Sequence, residues 1–157
     1  MTDRVLTIAH LPRHIPEREC RTIAAKTGWD ESCFAVEEVK NSRGPGNVVM
    51  IELEMENVTE VFSGFGQMGV KAEKVAMEPL DEAREYLAAG VPVGKHLADQ
   101  LMLPLGIGAW RGSGGGVFRT MALSRHAETL LDILRLFLEI ECRVERDGHD
   151  DCLVHIG

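Results

Sequence analysis

The chain reads Gly90-Val91-Pro92-Val93-Gly94 a little past its midpoint, and no other stretch punctuates it so clearly with glycine and proline. A break there divides 157 residues into two small units, so neither part can build a large core. The first unit is expected to end between Ala83 and Gly94, giving domains at residues 1–87 and 88–157. Upstream, Arg4–His10 reads as a strand with Leu6 and Ile8 on one face. Pro16 suits the first position of a helix running through Ile23 and Ala24, stopped by Gly28. Phe34–Lys40 reads as a second strand and Asn41–Asn47 as a loop. Val49, Ile51, Leu53 and Met55 alternate with glutamates, which predicts a half-buried strand with its carboxylates toward water. Thr59–Phe65 predicts another strand. Ala72, Val75, Ala76, Leu80, Ala83 and Leu87 have helical spacing. Pro79 lies among them and marks either a kink or a new helix start.

Downstream, His96–Leu105 predicts a short helix, Arg111–Gly116 a loop and Val117–Ala122 a strand. Arg125–Leu138 predicts a helix with Leu130, Leu131, Leu134 and Phe137 inward. Glu139–Arg146 alternates as a strand, paired with Cys152–Ile156 across a turn at Asp147-Gly148. The fold class expected is α+β, two layered units with helices packed on mixed or antiparallel sheets. A net charge of −8 argues against coating nucleic acid through bulk charge. No apolar run reaches the ~18 residues of a membrane span. With no signal-like start the protein is expected to be cytoplasmic, without membrane partners. Cys20, Cys33, Cys142 and Cys152 form no CxxC pair and read as buried free thiols. The segment His149-Asp150-Asp151-Cys152 with His155 matches no tetrahedral metal pattern and reads as a turn and a strand.

Two places carry candidate chemistry. His96, Asp99 and Gln100 stand at i, i+3 and i+4, so on a helix they share one face. Spacing alone favours a plainer assignment, with Asp99 capping a neighbouring turn and His96 at the surface. Ser124 is a plausible helix N-cap, which puts His126 in the first turn. The positive end of the helix dipole there favours a neutral imidazole, and first-turn N–H groups attract phosphate oxygens. Neutral imidazole beside a phosphate site is what a phosphorus-attacking histidine requires. A lone polar residue at a helix start remains the plainer assignment for His126. Arg13, His14, Arg18 and Arg21 read as the solvated face of the first helix. Trp110 reads as a partly buried loop anchor.

Several segments together resemble the RNA 3'-terminal phosphate cyclase family, in order along the chain. They are LPRHIPERE at Leu11–Glu19, SRGPGNV at Ser42–Val48, TEVFSGFG at Thr59–Gly66 and VKAEKVA at Val70–Ala76, then REYLAAGVPVGKHLADQLMLPL at Arg84–Leu105 and the histidine at 126. The resemblance implies that residues up to about Leu87 form the family's inserted domain, and that the rest is the end of its catalytic domain. It implies ATP-dependent conversion of an RNA 3'-phosphate to a 2',3'-cyclic phosphate through a histidine-AMP intermediate. By position His126 matches the nucleophile. Asp99 matches a carboxylate at the ATP phosphates and the divalent metal, Mg2+ or Mn2+. His96 and Gln100 match contacts to the adenosine. The implied partners are ATP and an RNA 3'-phosphate end. The family's N-terminal half, with further phosphate-binding residues, is expected as a partner in trans, or a second copy as a homo-oligomer. The family also includes cyclase-like relatives without the nucleophile, so a non-catalytic RNA or protein binding module is the alternative. The run at His126 departs from the family pattern with Leu130 in place of an asparagine and with Glu128 as a neighbouring carboxylate.

Overall fold

The computed structural model describes residues 3–9, 11–146 and 151–157, with 3–9 described by backbone alone. The expected turn at Asp147-Gly148, His10 and the side chains of Leu6 and Ile8 lie outside this description, as do His149 and Asp150. The chain divides into two compact units, Met1–Glu85 and Tyr86–Gly157. Both are α+β.

Unit 1 begins with strand β1 (Asp3–Ala9) and helix α1 (His14–Thr27). The helix starts two residues before the expected proline. Pro16 remains in its first turn, where a missing N–H breaks no intrahelical bond. Gly28 closes α1 at φ 72°, its N–H donating to Ala24 O at 2.8 Å. Strands β2 (Phe34–Glu37), β3 (Asn47–Glu54) and β4 (Thr59–Phe65) follow. The order across the sheet is β2-β1-β3-β4, with β1 and β2 parallel and the other pairs antiparallel. β2 is shorter than expected, ending at Glu37 instead of Lys40, because only Phe34–Glu37 pairs with β1. Alternation holds in β3: Val49, Ile51 and Leu53 are fully buried, while Glu52 and Glu54 are half-buried. Ile23 of α1 and Phe62 of β4 are buried as well.

Helix α2 (Ala72–Ala89) runs unbroken through Pro79, and the division between units falls within it. Proline at 79 has no N–H to donate to the carbonyl of Val75. The backbone of Gly64 on β4 fills that approach, and a Cβ there would stand 2.5 Å from Val75 O and 2.6 Å from Pro79 Cδ. Val75, Ala76, Leu80 and Ala83 are the buried stripe of this helix.

Unit 2 contains helix α3 (Lys95–Trp110), strand β5 (Gly116–Met121), helix α4 (Arg125–Leu138) and strands β6 (Cys142–Arg146) and β7 (Asp151–Ile156). Its antiparallel sheet has the order β5-β7-β6. Val93, Ala98, Met102, Ala127, Leu131, Leu134, Cys142, Val154 and Ile156 form one buried cluster. Helix α3 continues past Pro104 to Trp110, five residues beyond the expected end. Packing against α4 explains this, since a Cβ at Gly106 would lie 2.8 Å from Leu134 Cδ2. Trp110 is therefore a helix-terminal residue, 60% exposed, and not a buried loop anchor.

In α4 the inward positions are Ala127, Leu131 and Leu134, with Leu130 and Leu138 partly buried against the same cluster. Phe137 is 74% exposed, contrary to expectation. Leu138 completes the i, i+4, i+7, i+11 stripe from Ala127, and Phe137 falls one residue off it. Glu139 ends the helix in the left-handed region at φ 53°, so β6 begins only at Cys142. All four cysteines are free; Cys142 and Cys152 are buried as expected, whereas Cys20 and Cys33 are only partly buried. Burial pushes the Cys142 thiol up, opposed by the nearby Arg135. Among the described residues no helix is long and apolar enough to cross a membrane.

Candidate functional site

The site is assembled in unit 2 from the N-terminal turns of two packed helices. Ser124 has extended backbone, φ −69° and ψ 159°, and its hydroxyl accepts the N–H of Ala127 at 3.0 Å, which starts α4. The same hydroxyl donates to Asp99 of α3, 3.3 Å from Oδ1 and 3.5 Å from Oδ2. His126, in the first turn of α4, has Nδ1 at 3.3 Å from Asp99 Oδ2. One serine thus caps one helix and ties it to a carboxylate on the other. The Asp99 side chain is 21% exposed and that of His126 is 77% exposed.

This geometry has a chemical consequence. With the proton on Nδ1 donated to Asp99, the lone pair of Nε2 is left on the far side of the ring, open to solvent. The 3.3 Å separation is long for a hydrogen bond. The contact is therefore an orienting one, which a bound substrate can tighten. Ser124 restrains the carboxylate and so fixes the direction of the imidazole. His96 and Gln100 share the helical side of Asp99 and are both exposed. The structure joins Asp99 to His126 directly, and it places His96 and Gln100 on the same helix as Asp99.

Both departures near the histidine have a structural partner. Glu128 is paired with Arg146, Oε1 to Nη2 at 2.9 Å, so its charge is met within unit 2. Leu130 packs against the buried cluster. Thr129 donates its hydroxyl to Arg125 O at 2.8 Å within the helix. Sequence reasoning missed the bridge from Ser124 to Asp99. Its only signal was the capping pattern, which says nothing of residues 25 positions away.

Among the described residues no group of three or more His, Cys, Asp or Glu could hold a metal ion. Magnesium-type ions commonly take one or two carboxylates and fill their remaining positions with phosphate and water oxygens. Asp99 fits that pattern as a single hard oxygen ligand. The tail residues Asp151, Cys152 and His155 lie on β7. Asp151 there is engaged by Arg119, whose Nε donates to Oδ2 at 2.6 Å.

Residues 5–88 match the family described as RNA 3'-terminal phosphate cyclase (RTC), insert domain. Relatives named RNA 3'-terminal phosphate cyclase match most of the chain. One from Koribacter versatilis (strain Ellin345) is 41% identical over 143 residues, covering 91% of this chain and 39% of the relative. One from Ectopseudomonas mendocina (strain ymp) is 40% identical over 134 residues, covering 85% and 38%. One from Pseudomonas fluorescens is 37% identical over 132 residues, covering 84% and 37%. The chain spans about two fifths of the length of these curated relatives. By the match across residues 5–88 and these relatives, the chain belongs to the RNA 3'-terminal phosphate cyclase family.

Proposed function

We propose that this chain supplies the nucleophile of an ATP-dependent RNA 3'-phosphate cyclase, completed by the family's N-terminal half. The observation that carries the reading is the Asp99–His126 contact, braced by Ser124, which leaves Nε2 outward. Nε2 of His126 attacks the α-phosphorus of ATP, and the bond to pyrophosphate breaks. The AMP group then passes from His126 to an oxygen of the RNA 3'-phosphate. The neighbouring 2'-hydroxyl attacks that phosphorus, loses its proton and expels AMP, which leaves the 2',3'-cyclic phosphate. Asp99 holds the imidazole by its Nδ1 proton and stabilises the ring as charge develops. The ring of His96 and the amide of Gln100 are suited to stack on adenine and to hydrogen-bond its edge. Asp99 would be the chain's ligand to Mg2+ or Mn2+, which when bound neutralises charge on the phosphates. Four free cysteines fit a reducing compartment, and the proposed location is the cytoplasm.

The exposed apolar residues of unit 2 support a partner in trans. Leu103, Ile107 and Trp110 on α3, and Ile133, Leu136 and Phe137 on α4, are all at least 41% exposed. The same faces favour the second reading, a cyclase-like RNA or protein binding module, and a homo-oligomer would cover them equally.

The deciding experiment is covalent labelling with ATP carrying a labelled α-phosphate, in magnesium or manganese, with the N-terminal half supplied. Label is expected on the wild type, absent from His126→Ala and reduced in Asp99→Asn. Label that survives His126→Ala, or no label on the wild-type complex, removes the catalytic reading and leaves the binding module. Light scattering on the chain alone separates a homo-oligomer from a monomer awaiting its partner.

A further inference from the structure

A second polar site lies in unit 1, away from the residues of the histidine site in sequence and built differently. Glu19 is on the buried stripe of α1, with Pro16 and Ile23, and is 0% exposed. Its Oε1 accepts from Asn47 Nδ2 at 2.6 Å. Its Oε2 is buried and has no hydrogen-bond partner among the described residues. Carboxylate oxygens are rarely left so in a folded interior, and each instance calls for a reason.

Glu19 and Asn47 line a cavity of about 510 Å3, within the range of about 300–1,000 Å3 typical of small-molecule sites. Leu11, Ile15, Val70 and Val75 give it apolar walls. Lys71 adds a cation to its lining and His14 an imidazole that can donate a hydrogen bond, both exposed. Arg18 also lines it but is held by a two-pronged pair to Glu73, at 2.8 and 2.7 Å. The Asn47 amide is fixed from behind. Its backbone oxygen accepts from Gly66 N at 2.9 Å, and a Cβ at Gly66 would fall 1.8 Å from Asn47 Oδ1. The turn thus needs glycine at 66 to keep the amide on Glu19.

We propose that this cavity binds a nucleotide with an amino-bearing base, probed below with cytosine and guanine, the N–H edge meeting Glu19 Oε2 and the phosphate meeting Lys71 and His14. A buried acceptor, apolar walls, an exposed cation and an exposed imidazole together select a ligand with a donor at one end, a flat apolar middle and an anion at the other. Glutamate accepts from the cytosine amino group in known base readout. Unpaired RNA bases are commonly taken into apolar slots and read along their hydrogen-bonding edge. Burial, opposed by the Asn47 hydrogen bond and the Arg18 charge, pushes Glu19 up to about 7. A donor at Oε2 would offset part of that penalty. The choice of a nucleotide rests on the RNA reading above, but the site does not depend on His126.

The test is calorimetric titration of the full 157-residue chain with CMP, GMP and UMP at pH 8. CMP or GMP is expected to bind at least about tenfold tighter than UMP. Glu19→Gln, which can still accept from Asn47, is expected to abolish that preference. Lys71→Glu, on an exposed residue, is expected to weaken all three by about tenfold or more. Absence of nucleotide binding to the folded wild type overturns the proposal, as does binding that neither variant changes. Should Glu19→Gln fail to fold, Lys71→Glu decides alone. Labelling at His126 that persists while nucleotide binding in unit 1 fails would sink this site and leave the cyclase reading intact.

Discussion

Two helical carboxylates, one in each unit, are housed in opposite ways. Glu19 in unit 1 is fully buried, with Asn47 on one oxygen and no partner on the other among the described residues. Asp99 in unit 2 keeps 21% of its side chain exposed and has polar neighbours at both oxygens, Ser124 and His126. Burial dominates the first, and its charge is suppressed near neutral pH. The second carries two polar contacts and remains within reach of water. A carboxylate that must orient an imidazole belongs in the second setting. One that waits for a donor belongs in the first. The two units therefore hold the same functional group in different settings, and neither setting follows from charge alone.

The sharpest way to break this contrast is pH. Glu19 rises from an ordinary 4.5 to about 7 in the fold. Its contribution favours the folded state fully below pH 4.5 and is lost as pH climbs through about 7. Removing the carboxylate should reverse this. Glu19→Gln is expected to gain about 3 kcal/mol relative to wild type between pH 4.5 and pH 8. Urea unfolding of both proteins across that range would read the gain. A difference that does not vary with pH would mean the carboxyl is solvated after all.

Ser124→Ala acts on the other member of the pair. It removes the α4 cap and one hydrogen bond to Asp99, and is expected to destabilise unit 2 by about 1 kcal/mol. It should also loosen His126, visible as a change in its ring chemical shifts. Unchanged stability together with unchanged shifts would show that Ser124 braces neither.

The smallest effect is expected at Glu128, whose pair with Arg146 has side chains 50% and 68% exposed. Glu128→Gln should change unfolding stability by less than about 0.5 kcal/mol. A loss well above that would place this pair with the buried groups and blur the distinction drawn between the two settings.

How much of this could be read in the sequence differs by residue. The α4 cap at Ser124 and the buried Leu131 and Leu134 follow from local pattern, as does the Gly28 stop of α1. Phe137 was misplaced because a helix stripe drifts against any simple leucine count, and Leu138 took the inward position. At Pro79 a kink and a new helix start both stood open, and the extension of α3 from Leu105 to Trp110 was not legible, because tertiary packing decides both. At the site, shared facing of His96, Asp99 and Gln100 is a local property and was readable. The meeting of Asp99 with His126, 27 residues apart, needs the α3–α4 packing, and spacing alone cannot supply it. Glu19 offered a signal that went unused: it falls on the stripe of Pro16 and Ile23, where an apolar residue was due.

The strand order of unit 2 bears on how it is made. β7 is the last of its three strands in sequence, yet it lies between β5 and β6. While the chain emerges from the ribosome, β5 has only the single bridge from Thr120 to Val93, and β6 has no partner strand among the described residues, until residues 151–156 arrive. Unit 1 has all four of its strands by residue 65. During synthesis, then, the unit holding Glu19 can close while the unit holding His126 still waits, and a nascent chain halted before residue 151 would carry His126 without the central strand of its unit's sheet.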